Sequence, residues 1–259
     1  MTSIFVVAIT RWGRPLQEEA AALAPLFGVT AYDLRLKLGG PLPVLVDQTS
    51  DPQQASSLLS SLQQRGHGAV ACDLSKVARS TSMFMPRDFS FEASTFVSVN
   101  PEHGEHRIAY DHVLALIRAV HAVATTTIEA SRQRKLSASR AILTGGLVMS
   151  KTVEKKHIST TDEREQALYL FGQPGAEPLL LTESGLRYTG LGDRMGPTKL
   201  ANFATTVALL REHAPGAFYD ERLLTQRRRS SSDGATASNV DATDLAAHLL
   251  MLARLGGQL

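Results

Sequence analysis

The 259-residue chain has one cysteine, Cys72, one tryptophan and only 6% aromatic residues. A single thiol cannot close an internal disulfide, nor can it supply a cysteine-rich zinc site. Neither sign of charge is in excess: 27 Lys and Arg stand against 25 Asp and Glu, a formal net charge of +2. Such a balance excludes a highly charged tail protein and exerts no global pull on nucleic acid. No apolar run approaches the roughly eighteen residues a membrane-spanning helix needs. Met1 to Phe5 lack the basic start and long apolar stretch of a secretory signal. The expectation is a cytoplasmic, globular protein of a reducing compartment, long enough for one large domain or two small ones.

Charge is distributed unevenly. Residues 1–100 carry eight basic and eight acidic side chains, 101–156 nine and five, and 157–259 ten and twelve. The middle is therefore mildly basic, and it is the only electrostatic feature above background.

The first seventy-odd residues read as a compact α/β unit. Ile4 to Ile9 is a short apolar run, the mark of a strand buried on both faces. Pro15 sits where a helix can start, and Leu16, Ala20, Leu23 and Phe27 fall on one stripe that Gly28 ends. Thr30 caps a second helix with Ala31, Leu34 and Leu38 inward. Leu42 to Val46 is a second strand. Asp51-Pro52 opens a third helix lined by Ala55, Leu58, Leu59 and Leu62, and Ala69 to Cys72 is a third strand. The order is β-α-α-β-α-β.

Phe27-Gly28-Val29-Thr30-Ala31-Tyr32-Asp33-Leu34, the proline-flanked strand Pro41 to Val46, the third-helix stripe and the Arg65-Gly66-His67-Gly68-Ala69-Val70 return together resemble a known fold. It is that of the C-terminal domain of the bacterial ribosomal stalk protein and, more remotely, of the ClpS protease adaptor. The resemblance covers about a quarter of the chain. It implies a shape that displays helices for protein docking.

The remainder reads as strand-rich. Residues 77–88 form a linker containing the apolar cluster Met83-Phe84-Met85, which either packs on a neighbouring domain or binds a partner. Phe89 and Phe91 alternate, as do Val97 and Val99, and Arg107 to Tyr110 returns antiparallel. Tyr110, Leu114, Ile117 and His121 have helical spacing, so a short helix running into a strand is expected there. Strands follow at Ala167 to Phe171 and Pro178 to Thr182. Thr198 opens a helix with Leu200, Ala204, Val207 and Leu210 on one stripe. That order is loosely similar to a pleckstrin-homology-like domain. Residues 225–240 read as a flexible linker. The last element, 241–257, is an amphipathic helix with Leu245, Leu249, Leu252 and Leu255 on its stripe. It either folds back, self-associates or docks on another chain.

The fold class is therefore α+β. Its parts are a module at 1–76, the linker at 77–88, a strand-rich module at 89–224 closed by an amphipathic helix, the second linker and the terminal helix.

Chemistry-bearing patterns are sparse. Thr144 to Thr152 approaches a phosphate-binding loop, but Ser150 stands where the second glycine belongs. His103, His106 and His112 lie among Glu102, Glu105 and Asp111, a donor set suited to a divalent metal yet equally to a solvated hairpin tip. Cys72 and His67 would point to opposite faces of one strand. Arg132, Arg134, Lys135 and Arg140, with Lys151, Lys155 and Lys156, form a cationic patch if a hairpin joins them. No cofactor is called for. The expected function is a non-catalytic adaptor or regulator working by protein–protein contact, with Met83, Phe84, Met85, Leu245, Leu249 and Leu252 as partner-binding candidates. The alternative is a binder of nucleic acid or anionic headgroups through the basic middle. An enzyme ranks third.

Overall fold

The computed structural model describes residues 3–136, 150–225 and 240–259; the side chains of 122–163 lie outside that description. The class is α+β. Two compact units are present, one built from residues 1–121 and 166–259, the other from Ala122–Glu165.

Within the first unit the chain begins with β1 (Phe5–Arg11), α1 (Leu16–Phe27), α2 (Ala31–Leu38), β2 (Val44–Thr49), α3 (Pro52–Gln64) and β3 (Gly68–Asp73). These strands pair antiparallel in the order β2-β1-β3, with β1 in the centre. Alternation along β1 decides what each face meets. Val7 and Ile9 face the helices, packing with Leu23, Leu34, Leu38 and Leu62. Val6 and Ala8 face the other way, with Val70 and Cys72 of β3 beside them. Both faces of β1 are thus covered, which is why its sequence is a continuous apolar run.

Local signals fix the helix ends. The Thr30 hydroxyl accepts from the Asp33 N–H at 3.1 Å and the Asp51 carboxylate from the Gln53 N–H at 2.8 Å. Gly28 closes α1 at φ 61°, a left-handed conformation natural to glycine.

The chain continues through β4 (Asp88–Phe91), β5 (Thr95–Asn100), β6 (Gly104–Ala109), β7 (Val113–Leu136), β8 (Ser150–Gly172), β9 (Leu179–Thr182), α4 (Lys199–His213), β10 (Phe218–Leu223) and α5 (Ala242–Leu255). β4, β5 and β6 make a small antiparallel sheet, while a second sheet has the order β10-β7-β8-β9. β10 runs parallel to β7, with Phe218 opposite Ala115.

The terminal helix α5 is the centre of the first unit. Leu245, Leu249 and Ala253 pack on the outer face of the first sheet. Ala246, Ala247 and Leu250 pack on Ala115, Ile117, Ala119, Ala167 and Tyr169 of the second. The far face of that second sheet carries Leu116, Leu168 and Leu170, which meet Phe203, Val207 and Leu210 of α4 and Phe89, Phe96 and Ile108 of the small sheet.

Four expectations need correction. The division at 77–88 is not a boundary between compact units, because α5 joins both sheets and the segment itself is packed. Met83 and Phe84 are buried, and Phe84 bonds to both Pro178 and Leu180 through its backbone. The helix expected from Tyr110 is only a 3₁₀ turn, Tyr110–His112, before β7 begins. Its apolar spacing arises because both faces of β7 are buried, which mimics a helical stripe. On α4 the buried face is Phe203, Thr206, Val207 and Leu210, whereas Leu200 is 50% exposed. On α5 the stripe is not one face: burial wraps most of the helix, leaving Leu255 exposed. Residues 144–149 of the Thr144 to Thr152 run, Arg140 and most of the 225–240 segment lie outside the described residues.

Candidate functional site

Three clusters of polar side chains bring chemistry-bearing groups together. The first joins α1 to the corner between α3 and β3. Glu19, on the inner side of α1, is buried, and its Oε2 accepts from Nε and Nη2 of Arg65 at 2.8 and 2.6 Å. His67 Nε2 lies 3.4 Å from the same oxygen, and its Nδ1 accepts from the Gly13 N–H at 3.1 Å. That acceptor role puts the imidazole proton on Nε2, toward the carboxylate. Burial pushes the Glu19 carboxyl up, but hydrogen bonds and charge from Arg65, then His67, hold it below the usual carboxylate range. Burial also depresses His67, and the opposing pull of Glu19 does not reverse it.

Trp12 meets the imidazole edge-on at 5.2 Å. Gly13 is required where it stands, because a Cβ there would come within 2.2 Å of the Gly66 carbonyl oxygen. The His67 side chain is fully buried, with both nitrogens turned inward. It therefore acts as a clamp between the β1–α1 loop and β3 and is closed to a substrate.

The second cluster is at the start of α5. His121, Asp241 and Asp244 bring one ligand-type atom each within 4.8 Å of the others, the sole such group among the described residues. Its contacts explain it without a metal. Asp241 caps the helix through the Thr243 N–H at 2.7 Å. Asp244 accepts from the Tyr169 hydroxyl at 2.7 Å and from the Ser80 N–H at 2.8 Å, and His121 Nε2 is 3.8 Å away. Burial raises the Asp244 carboxyl, but His121, Ser80 and Tyr169 together bring it below its ordinary value. The partial positive charge of a helix N-terminus favours these carboxylates and disfavours a cation beside them. One turn on, His248 is buried, and burial pushes its pKa down to about 4.

The third cluster lines an open cavity of about 650 Å³ beside β10, where Arg211 stacks 3.8 Å over the Tyr219 ring. Arg222 is already engaged there, by Asp220 at 2.8 Å and the Thr10 carbonyl at 3.0 Å.

The sequence-predicted residues scatter. His103 lies in the β5–β6 turn, His106 on β6 against Phe84, and His112 in the 3₁₀ turn; the structure does not assemble them into a ligand set among the described residues. Met83, Phe84, Leu245 and Leu249 are core, Leu252 is half-buried against it, and Met85 is 41% exposed. The first four therefore offer no surface to a partner. Cys72 is core under α5, its thiol pushed up to about 11 by burial and by Asp73. Arg132, Arg134 and Lys135 fall on β7, and Lys151, Lys155 and Lys156 on β8, its neighbour in the sheet. Their side chains are outside the description.

One surface went unread in the sequence. Nine large apolar side chains are exposed among the described residues, and five of them lie between Leu26 and Leu45. At the α1–α2 corner Leu26 is 53%, Val29 39%, Tyr32 64% and Leu36 60% exposed. The signal was available. α2 buries Leu34 and Leu38, four residues apart, and the same spacing relates Tyr32 and Leu36 on its opposite side. Among the described residues, no helix is long and apolar enough to cross a membrane. No family model, no curated protein and no solved structure matches the chain.

Proposed function

We propose that this protein is a non-catalytic adaptor or regulator that works by protein–protein contact, with the α1–α2 corner as its contact surface. The observation that supports this reading is the concentration of exposed apolar side chains at Leu26, Val29, Tyr32 and Leu36. Scattered apolar residues on a surface need no explanation, but a cluster on one helical corner marks an interaction site. The polar clusters argue in the same direction, since Glu19, His67 and Asp244 are spent on internal contacts. The β-α-α-β-α-β order, with its resemblance to stalk and ClpS-like domains, is consistent with helices displayed for docking. Tagged protein captured under native conditions, from lysate split between nuclease-treated and untreated halves, tests the reading. Stoichiometric partners that survive nuclease and are lost with Tyr32→Asp are expected; capture that vanishes with nuclease would overturn it.

A second reading is a binder of nucleic acid or anionic headgroups. It is favoured by the adjacency of β7 and β8, which carry the two basic runs. Phosphate contacts release counterions, so such binding would weaken steeply with salt and with charge reversal of Arg134, Lys135, Lys155 and Lys156.

A further inference from the structure

We propose that His67 is an acid-sensitive latch: protonation of its buried ring releases the β1–α1 loop from the α3–β3 return while β1 stays paired. Nδ1 of the ring accepts from the Gly13 N–H at 3.1 Å, so the imidazole holds the loop only while that nitrogen carries no proton. An imidazolium donates from both nitrogens and sets N–H against N–H at this contact. Gly13 is packed so closely on the return that a Cβ would stand 2.2 Å from the Gly66 carbonyl oxygen. With no room inward, a loop repelled by the ring moves outward.

The charged groups that act on the ring are Glu19 on α1, Arg14 in the β1–α1 loop and Arg65 at the end of α3. Glu19 favours an imidazolium, but its Oε2 already accepts twice from Arg65, and Arg14 lies 3.8 Å from its Oε1. One carboxylate thus meets two guanidinium groups before His67 takes any proton. Burial, with Arg65 and Arg14, outweighs Glu19 and keeps the enclosed ring neutral. Once the loop opens, the ring regains water and an ordinary pKa near 6.5, so the open form takes up the proton first. The closed form is therefore fully favoured above about pH 6.5 and loses ground as pH falls below it.

The test is amide exchange of the full chain, followed by NMR at pH 7.5 and pH 5.5 and expressed as protection, which removes the intrinsic pH dependence of exchange. An open-form pKa near 6.5 raises the opening equilibrium by up to about tenfold over this interval. Gly13 is therefore expected to lose protection by about threefold to tenfold, while Val7 and Ile9 in β1 keep theirs. In His67→Asn the side-chain oxygen stands in for Nδ1 as an acceptor that does not titrate, so Gly13 should hold its protection at both pH values. Protection at Gly13 that does not change in the wild type, that falls equally in His67→Asn, or that falls together with Val7 and Ile9 overturns the latch. Should His67→Asn fail to fold, a wild-type pH series decides. Protection flat above about pH 6.5 and falling below it supports the latch, and a fall that begins only below about pH 5, where carboxylates titrate, overturns it.

Discussion

Glu19 and His248 show how distance in sequence hides a residue's role. Glu19 reads as one of several acids opening an exposed helix, because the partners that hold it, Arg65 and His67, lie far along the chain. Removing it by Glu19→Ala strands the Arg65 guanidinium and empties the clamp. Since Arg65 is one-third exposed and partly rehydrates, a loss of about 2 kcal/mol is expected by urea titration. His248 is the pH-dependent counterpart. Its folded-state pKa of about 4 is below the unfolded value near 6.5, so the unfolded chain takes up the proton first. The neutral ring's contribution is fully present above about pH 6.5 and is lost as pH falls toward 4. Urea titrations at pH 7 and pH 5 should show a drop that His248→Leu reduces; an equal drop in both proteins would contradict the assignment.

Elements in the first third were legible because each carries its own punctuation: Gly28, Thr30, Asp51 and Pro52 mark helix ends where the structure has them. β7 was misread because a strand buried on both faces loses its alternation. β10 was missed altogether, since Phe-Tyr-Asp-Glu-Arg-Leu conceals its pattern behind three charges, and only its parallel pairing with β7 defines it. For α5, the sequence shows an amphipathic stripe, but the second buried side sets Ala246 and Ala247 beside Leu250, and the two alanines are too small to announce themselves. The packing gives a sharp contrast between neighbours on this helix. Leu249→Ala should destabilise by about 2–5 kcal/mol and Leu255→Ala by under about 0.5 kcal/mol, as read from denaturant midpoints. Asp244→Ala should also be severe, because it leaves the Tyr169 hydroxyl and the Ser80 N–H without their acceptor.

For the whole molecule, the arrangement of layers means that residues 1–76 are not self-sufficient. Without α5 the outer face of the first sheet would expose Val6, Ala8, Val70 and Cys72 to water. A fragment ending before residue 77 is expected to bind a hydrophobic dye and to lose protection from amide exchange in β1 and β3. Native-like protection in that fragment would contradict the central position assigned to α5. The candidate surface was only half legible, for a related reason. Burial turns one stripe of α2 inward, and only the fold reveals which of two equivalent stripes stays outside.

The central claim is that function resides on the α1–α2 corner. Its most direct test is quantitative capture by wild type, by Tyr32→Asp with Leu36→Asp, and by Leu200→Asp, each with its melting temperature measured. The account predicts that the double variant keeps its melting temperature and loses its protein partners, while Leu200→Asp retains them. Undiminished capture by a folded double variant would contradict it.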